Sequence, residues 1–459
     1  MLLAFSALPE ELEVLLISVT YGNIDVQNCL RNVISLFHHV EKEVAWRRKA
    51  GRDLGFDTLR KSKPLVAVGP DHPLADEMLM ADFFHGTDGL GGVHDTHPHL
   101  SPADTWKALF ETAEKSEDPA ETAVASELWN KDALFKPTKN EGSQEILRLL
   151  RENEPGSITI VAIGPLTNLA LAAAADPETF LKVKEVVVMG GNIDQHGNVS
   201  TPFHRPAAQE HIPEPAFRLI KQASRPIRAA LTKRNQITPV AEFNTFADAT
   251  AAARVYALSS PRPETTMPPP PPAPPGVDNT EEPPPPFLAP YPTSLSRRLK
   301  VTLFPLDITE KHLLTRGEFR KTTEPQLAAK SPLAEWMSAF MNATFDKVES
   351  LHPDLTGDAV GLQLHDPLCV WYCLAQSDPQ WELKRDEDIR VETSGQWTRG
   401  MCVVDRRERK RREDKHVGEI PGDTGNWLSG DAGNRLQRCI STPGEKTFGG
   451  YLLKRVFNL

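Results

Sequence analysis

The run Ser157-Ile158-Thr159-Ile160-Val161-Ala162-Ile163-Gly164 decides the fold. Its β-branched core is continuous and strand-length, without the polar alternation of a half-exposed strand, so it reads as a strand covered on both faces. Pro165-Leu166-Thr167-Asn168 follows, and an alanine-rich helix continues to about Ala175. Val186-Val187-Val188-Met189 is the next strand and ends at Gly190-Gly191. The same rhythm appears upstream. A short helix end and a turn at Ala7-Leu8-Pro9-Glu10 lead into a strand from Val14 to Val19, a helix from about Val26 to Arg48, and a strand over Pro64 to Gly69. Strand, helix, strand repeated this way predicts an α/β chain with a mostly parallel open sheet and helices on both faces. The ligand site of such a sheet lies at the carboxyl ends of its strands.

Composition narrows the function. The 459 residues are 39% hydrophobic and 25% charged, ordinary globular usage with enough apolar material for a large core. Fifty-two Lys and Arg against 62 Asp and Glu give a net charge of −10, which disfavours nucleic acid as a partner and favours a small molecule. No run of 18 apolar residues occurs, so no membrane span is expected. Met1 to Leu8 is apolar but lacks a basic flank and runs straight into Pro9-Glu10-Glu11, unlike a secretory signal. Five scattered cysteines predict a reducing, cytoplasmic setting rather than a disulfide framework. Cys369 and Cys373, four apart on an apolar helix, read as buried thiols.

Two stretches break the rhythm. Residues 261–292 contain 15 prolines and read as an exposed Pro-rich loop insertion, with docking to SH3 or WW domains as the alternative. Residues 199–236, with Phe203-His204-Arg205-Pro206 and Arg225-Pro226-Ile227-Arg228, show no buried-strand pattern. Near the C-terminus, Asp405 to Lys415 is a charge run whose plainest reading is a solvated hairpin or loop; a phosphate-binding patch is the alternative.

Several strands end in small polar groups: Gly22-Asn23, Gly190-Gly191-Asn192 and Gly197-Asn198. Glycine permits close approach of a ligand, and asparagine offers a donor and an acceptor to sugar hydroxyls, although such dipeptides also serve as plain turns. In Thr238-Pro239-Val240-Ala241-Glu242-Phe243-Asn244, Glu242 and Asn244 alternate with apolar neighbours. That pattern places them together in a cleft or on a half-exposed strand. Leu364-His365-Asp366-Pro367 sets an imidazole beside a carboxylate where a helix begins. As structure, Asp366 caps the helix with Pro367 at its first position; as chemistry, the carboxylate binds a hard cation and His365 protonates a leaving group.

Taken in order, these segments resemble the inosine-uridine-preferring nucleoside hydrolase family. The resemblance is carried by Ser18 to Asn23, His85-Gly86-Thr87-Asp88-Gly89-Leu90-Gly91, Gly164 to Asn168, Val188 to Gly191, Thr238 to Asn244 and His365-Asp366-Pro367. Glu392 to Gly400 is similar to the family's C-terminal region in a form associated with fungal members. The resemblance implies cleavage of the N-glycosidic bond of ribonucleosides with a bound Ca²⁺. It implies Asp366 and the carbonyl of Ile163 as calcium ligands and His365 as general acid on the leaving-base side. Asn23, Met189, Asn198, Glu242 and Asn244 are then the ribose-binding set. The glycine-rich Asp88 to Gly92 segment would lie as a mobile loop near the base, with His94 and His97 as contacts. Family members are commonly dimers or tetramers, so a homo-oligomer is expected.

The chain departs from the family twice. It lacks the family's N-terminal aspartate cluster, and its first residues resemble the helix that follows that cluster, so Met1 is expected to be an internal position of a longer frame. A gap in the sheet is then expected, exposing apolar strand surface and backbone edges, with Ca²⁺ bound weakly because most carboxylate ligands are missing. Secondly, Glu242 lies 44 residues after Asn198, where the family spacing is six. Removing the 38 residues 199–236 restores that spacing, and Val199-Ser200 and Gln236 are residues whose codons can spell intron borders. Residues 199–236 are therefore expected to be a translated intron, with a genuine insertion as the alternative. The sequence thus predicts a single, N-terminally incomplete nucleoside hydrolase-like domain over 1–459 whose hydrolysis of ribonucleosides is impaired in this chain. The rival reading is a catalytically inactive nucleoside- or ribose-binding relative or scaffold.

Overall fold

The computed structural model describes residues 1–75, 78, 84–102, 110, 133–197, 239–268, 288–352, 354–407, 409–412 and 420–459. In chain order the strands are β1 (Leu16–Val19), β2 (Leu65–Val68), β3 (Lys136–Pro137), β4 (Thr159–Ala162), β5 (Glu185–Met189) and β6 (Val301–Phe304). They continue with β7 (Leu313–Thr315), β8 (Gly361–Gln363), β9 (Glu382–Glu387), β10 (Arg390–Val391), β11 (Cys402–Val403) and β12 (Leu436–Ser441). The main sheet runs β4-β5-β6-β12-β9, parallel throughout except for β9 at its edge. A smaller parallel sheet runs β1-β2-β3. Two antiparallel ribbons, β7-β8 and β10-β11, stand apart from both.

The apolar runs explain why the sheet is central. All five residues of β5 are buried, and its side chains alternate between two cores: Val187 and Met189 enter one, Val186 and Val188 the other. Each such valine contributes about 1.5–2 kcal/mol through removal from water. The Val26–Lys49, Pro332–Leu351, His365–Leu374 and Phe448–Phe457 helices cover the first face. Gly142–Glu152, Thr167–Ala175 and Ala249–Ala257 cover the second. Within the Val26–Lys49 helix Glu43 and Arg47 form a buried ion pair at 2.8 Å. The same carboxylate accepts from Ser331 Oγ and Leu333 N at the start of the Pro332–Leu351 helix.

The expected gap lies between the sheets. No ladder joins β1 to β4, and Leu16, Ile17, Thr159, Ile160 and Val161 are only half-buried, whereas β5 and β6 are covered throughout. The sheets meet through side chains at their carboxyl ends. Asn168 Nδ2 donates to Val19 O at 3.1 Å, and the Tyr21 hydroxyl lies 3.1 Å from Thr167 Oγ1.

Several expectations are corrected. The strand expected from Val14 is ordered only from Leu16. Glu242 and Asn244 lie on no strand, because Glu242 caps the Phe243–Ala247 helix and Asn244 is its second residue. Asp366 is not the cap of its helix; Leu364 holds that position, and Pro367 is the third helical residue. β6 was not read from the sequence at all. The charge run, by contrast, is the solvated loop expected: its described residues are irregular and mostly exposed, with Arg407 on Asp423, Arg406 on Asp194 and Arg411 beside Asp388.

Residues 199–236 and Asn198 lie outside the described residues, but their flanks are stitched together, Gly197 N donating to Pro239 O at 3.1 Å. Most of the Pro-rich tract, 269–287, also lies outside them. Its return is clamped by Arg254, which donates to Leu288 O and Ala289 O and lies 5.0 Å from the Tyr291 ring. The five cysteines are unpaired, Cys369 buried and Cys373 half-buried on one helix. Among the described residues no helix is long and apolar enough to cross a membrane.

Candidate functional site

The parallel strands deliver their carboxyl ends to one rim, and the expected residues can be placed along it. β5 ends at Met189, and the chain turns through Gly190 and Gly191. Gly191 has φ +74°, and a Cβ there would lie 2.7 Å from Cys402 Sγ, so both backbone and packing require glycine. Glu242 holds this turn. Its carboxylate, buried in the protein, accepts from Gly191 N at 2.9 Å, Asn244 N at 2.8 Å, Thr245 N at 3.0 Å and Thr245 Oγ1 at 3.1 Å. Burial raises its pKa despite these donors. In this arrangement Glu242 joins the end of β5 to the first turn of the next helix.

Asn244, half-buried, donates its amide to Met189 O at 3.2 Å and to Met189 Sδ at 3.3 Å, leaving the side-chain carbonyl free to accept. Met189 itself is buried. Asn23 is exposed, one turn beyond β1. Its loop is brought to the same helix by Tyr21, whose hydroxyl donates to Ala247 O at 3.4 Å. Thr167 continues this chain, donating to Asp248 Oδ2 at 2.7 Å.

The His365-Asp366 pair closes the rim. Asp366 is exposed, the second residue of the His365–Leu374 helix. Crowding by the surrounding protein pushes its carboxyl up to about 6; the Met1 ammonium opposes the shift and Glu242 adds to it. His365 is partly buried, and its pKa falls to about 4 through loss of solvent and the neighbouring charge of His85. Its Nδ1 lies 2.8 Å from Thr309 Oγ1, which fixes the ring. Thr309 escaped sequence reasoning because β6, the strand before it, was unread. His85 opens the glycine-rich His85 to Gly91 segment, and nothing local in the sequence marks it for a role.

The glycine-rich segment is more anchored than expected. Asp88, buried, accepts from Leu90 N, Gly92 N and His94 N at 2.8–3.0 Å, while Asn32 Nδ2 donates to its backbone carbonyl. Both ring nitrogens of His94 are engaged, one with Ser101 Oγ and one with Asn32 Oδ1, so this ring serves the loop rather than a base. His97 is exposed in part and pairs locally with Thr96.

The donor set for Ca²⁺ is thin. Among the described residues no group of three His, Cys, Asp or Glu side chains comes together as a metal cluster. Asp366 stands without a second free carboxylate beside it among the described residues, and Glu242 is committed to four donors, so a hard cation that needs about six to eight oxygens does not fit these residues.

Comparison with known proteins follows the same line. A family model described as inosine-uridine preferring nucleoside hydrolase matches residues 1–420. A probable uridine nucleosidase 1 of Oryza sativa subsp. japonica is 31% identical over 212 residues, 46% of each chain. A pyrimidine-specific ribonucleoside hydrolase, RihA, of Salmonella newport is 23% identical over 395 residues, 86% of this chain and 81% of that one. The chain spans about half the length of the first curated relatives it matches. A plant nucleoside hydrolase, the PpNRh1 enzyme, superposes with a TM-score of 0.56 at 18% identity, covering 100% of this chain and 94% of its own. A purine-preferring ribonucleoside hydrolase from Gardnerella vaginalis gives 0.55 at 17%, covering 100% and 93%. These structures share the fold.

Proposed function

The chain belongs to the inosine-uridine preferring nucleoside hydrolase family, and from that premise we propose that it hydrolyses the N-glycosidic bond of ribonucleosides to free base and ribose. One observation carries the reading. Support comes from the hydrogen bonds that link the turn after β1 and the end of β5 to the helix headed by Glu242, Tyr21 to Ala247 and Gly191 to Glu242, with the His365–Leu374 helix packed on β5.

The roles follow from what each side chain has free. Asn244 presents its carbonyl to a ribose hydroxyl, with its amide held by Met189. Asn23 closes over the sugar from the β1 side. Glu242 positions the turn that carries both partners. Asp366, an exposed carboxylate, orients the attacking water. His365 faces the departing base, and because it is neutral above about pH 4 it offers a hydrogen bond rather than a stored proton. The poor fit to Ca²⁺ means that no step is routed through a metal. The unpaired cysteines agree with action in the reducing cytoplasm.

The thin donor set favours a second reading, a nucleoside- or ribose-binding relative without turnover. Incubation of the full chain with uridine and with inosine, following free base by chromatography and nucleoside binding by calorimetry, separates the two. Base release supports the hydrolase. Binding without release supports the second reading, and the absence of both removes each of them.

A further inference from the structure

The short Leu306–Thr309 helix is bonded both to the turn after β5 and to the start of the His365–Leu374 helix. On the first side Leu306 N donates to Gly191 O at 3.0 Å, and Asp307 accepts from Ile193 N at 2.8 Å and from Asp194 N at 2.7 Å. This is the turn that Glu242 braces. On the second side the residues just beyond the helix take part: His312 O accepts from Leu364 N at 2.8 Å, which fixes where the chain enters His365. Thr309, buried at the end of the helix, completes the join, its Oγ1 2.8 Å from His365 Nδ1.

Only one direction of that hydrogen bond satisfies both groups. A threonine hydroxyl has one proton to donate, and in a helix its local acceptors are the carbonyls three and four residues back. Here Leu306 O is taken by Glu310 N, and Pro305 O by both Ile308 N and Thr309 N. Among the described residues His365 Nδ1 is the single partner of Thr309 Oγ1. A buried hydroxyl with no acceptor is costly, so the Thr309 O–H donates and Nδ1 accepts. The proton of the neutral ring then sits on Nε2. That nitrogen makes no hydrogen bond among the described residues and is left to donate.

We propose that Thr309 is a positioning residue for hydrolysis: it holds His365 as the tautomer protonated on Nε2, which offers an N–H to an acceptor atom of the departing base, a carbonyl oxygen or an unprotonated ring nitrogen. What the donor meets rests on the proposed hydrolysis; where the proton sits rests on the geometry alone. With the proton on Nδ1 instead, the ring would turn a lone pair toward the same acceptor and repel it. Because Leu306, Asp307 and Thr309 share one short helix, the turn beside Met189 and Asn244 and the ring of His365 are set by the same element.

NMR of the nitrogen-labelled full chain at neutral pH reads the tautomer, with the His365 ring signals assigned by their absence from H365Q. The parent should carry the proton on Nε2 with Nδ1 as an acceptor. T309V, which removes the hydroxyl, should populate both tautomers, and T309S should restore the parent spectrum. With uridine and inosine as substrates, T309V should lower kcat about threefold to tenfold, the effect of one lost hydrogen bond, while KM moves by less than about twofold; T309S should recover most of the rate. A proton on Nδ1 in the parent, a ring spectrum unchanged in T309V, equal impairment of T309S and T309V, or a loss confined to KM would each overturn the proposal. The parent spectrum decides the position of the proton even where T309V does not fold. A parent chain that releases no base while its ring carries the Nε2 proton removes the hydrolase reading and upholds the placement of that proton by Thr309.

Discussion

Replacing Glu242 asks whether its carboxylate is a brace for the rim or a free sugar ligand. Its two oxygens accept four hydrogen bonds: one on Oε1 from Asn244 N, and three on Oε2 from Gly191 N, Thr245 N and Thr245 Oγ1. Glutamine retains a single carbonyl oxygen. Placed at Oε2 it keeps three partners, and its NH₂ then confronts the Asn244 N–H, donor against donor. One buried unsatisfied donor costs about 1–3 kcal/mol, so E242Q should be about 2 kcal/mol less stable than the parent. Alanine removes the helix cap as well, worth about 1 kcal/mol, and orphans Gly191 N, for a total near 3 kcal/mol. Relief from burying a carboxylate offsets part of both figures. Because burial raises the folded pKa of Glu242, its contribution is full below the unfolded carboxylate value and declines as pH rises through the folded one. The margin of the parent over E242Q should therefore narrow in that window. Urea unfolding followed by circular dichroism, at several pH values, measures it. An E242Q midpoint within about 0.5 kcal/mol of the parent at neutral pH would show that the carboxylate is not a brace.

His365 should remain neutral down to about pH 4 by NMR titration, and H85A should raise that value by removing a neighbouring charge; an unshifted value near 6.5 would contradict its loss of solvent. As its folded pKa lies below the unfolded one, its contribution to stability is present above about 6.5 and lost as pH falls toward about 4. Calcium at 1 mM should stabilise the chain by no more than about 0.4 kcal/mol, the value for a dissociation constant of 1 mM or weaker, and a shift of about 2 kcal/mol in the urea midpoint would contradict the donor-set argument. Deleting residues 199–236 should leave a cooperatively unfolding protein, because Gly197 and Pro239 are already hydrogen-bonded across the excursion; loss of the transition on deletion would show that the segment is integral.

The central strands were legible because burial on both faces leaves a mark in composition. Val186-Val187-Val188-Met189 has no polar face to present, so its reading did not depend on tertiary context. Ile158 to Ile163 was read equally well, although β4 is half-exposed along the gap. β6 was missed because Val301-Thr302-Leu303-Phe304 follows a proline-rich stretch and carries Thr302, whose hydroxyl bonds to the buried Glu185, a partner 117 residues away. The Glu242 segment misled for a related reason. Alternation of polar and apolar residues over a few positions suits a strand edge or a capped helix start equally, and only the Gly191 amide across the turn decides between them. Sites inherit this limit: residue types at strand ends were readable, but which of them spend their polar atoms on the protein was not.

That distinction governs how the rim works as one site. With no ladder between β1 and β4, the positions of Asn23 and Asn244 relative to each other rest on side-chain links: Tyr21 to Thr167 and Ala247, Thr167 to Asp248, Asn168 to Val19. Each link is worth about 1 kcal/mol, well below the cooperative stiffness of a shared strand pair. Beside these links the two sheets share a core, in which Val19 and Val66 belong to one cluster with Val187, Met189 and Phe304. Any stabilisation of the seam, whether by ligand or by an added strand, should tighten the sugar-facing side chains before it alters the chemistry at His365.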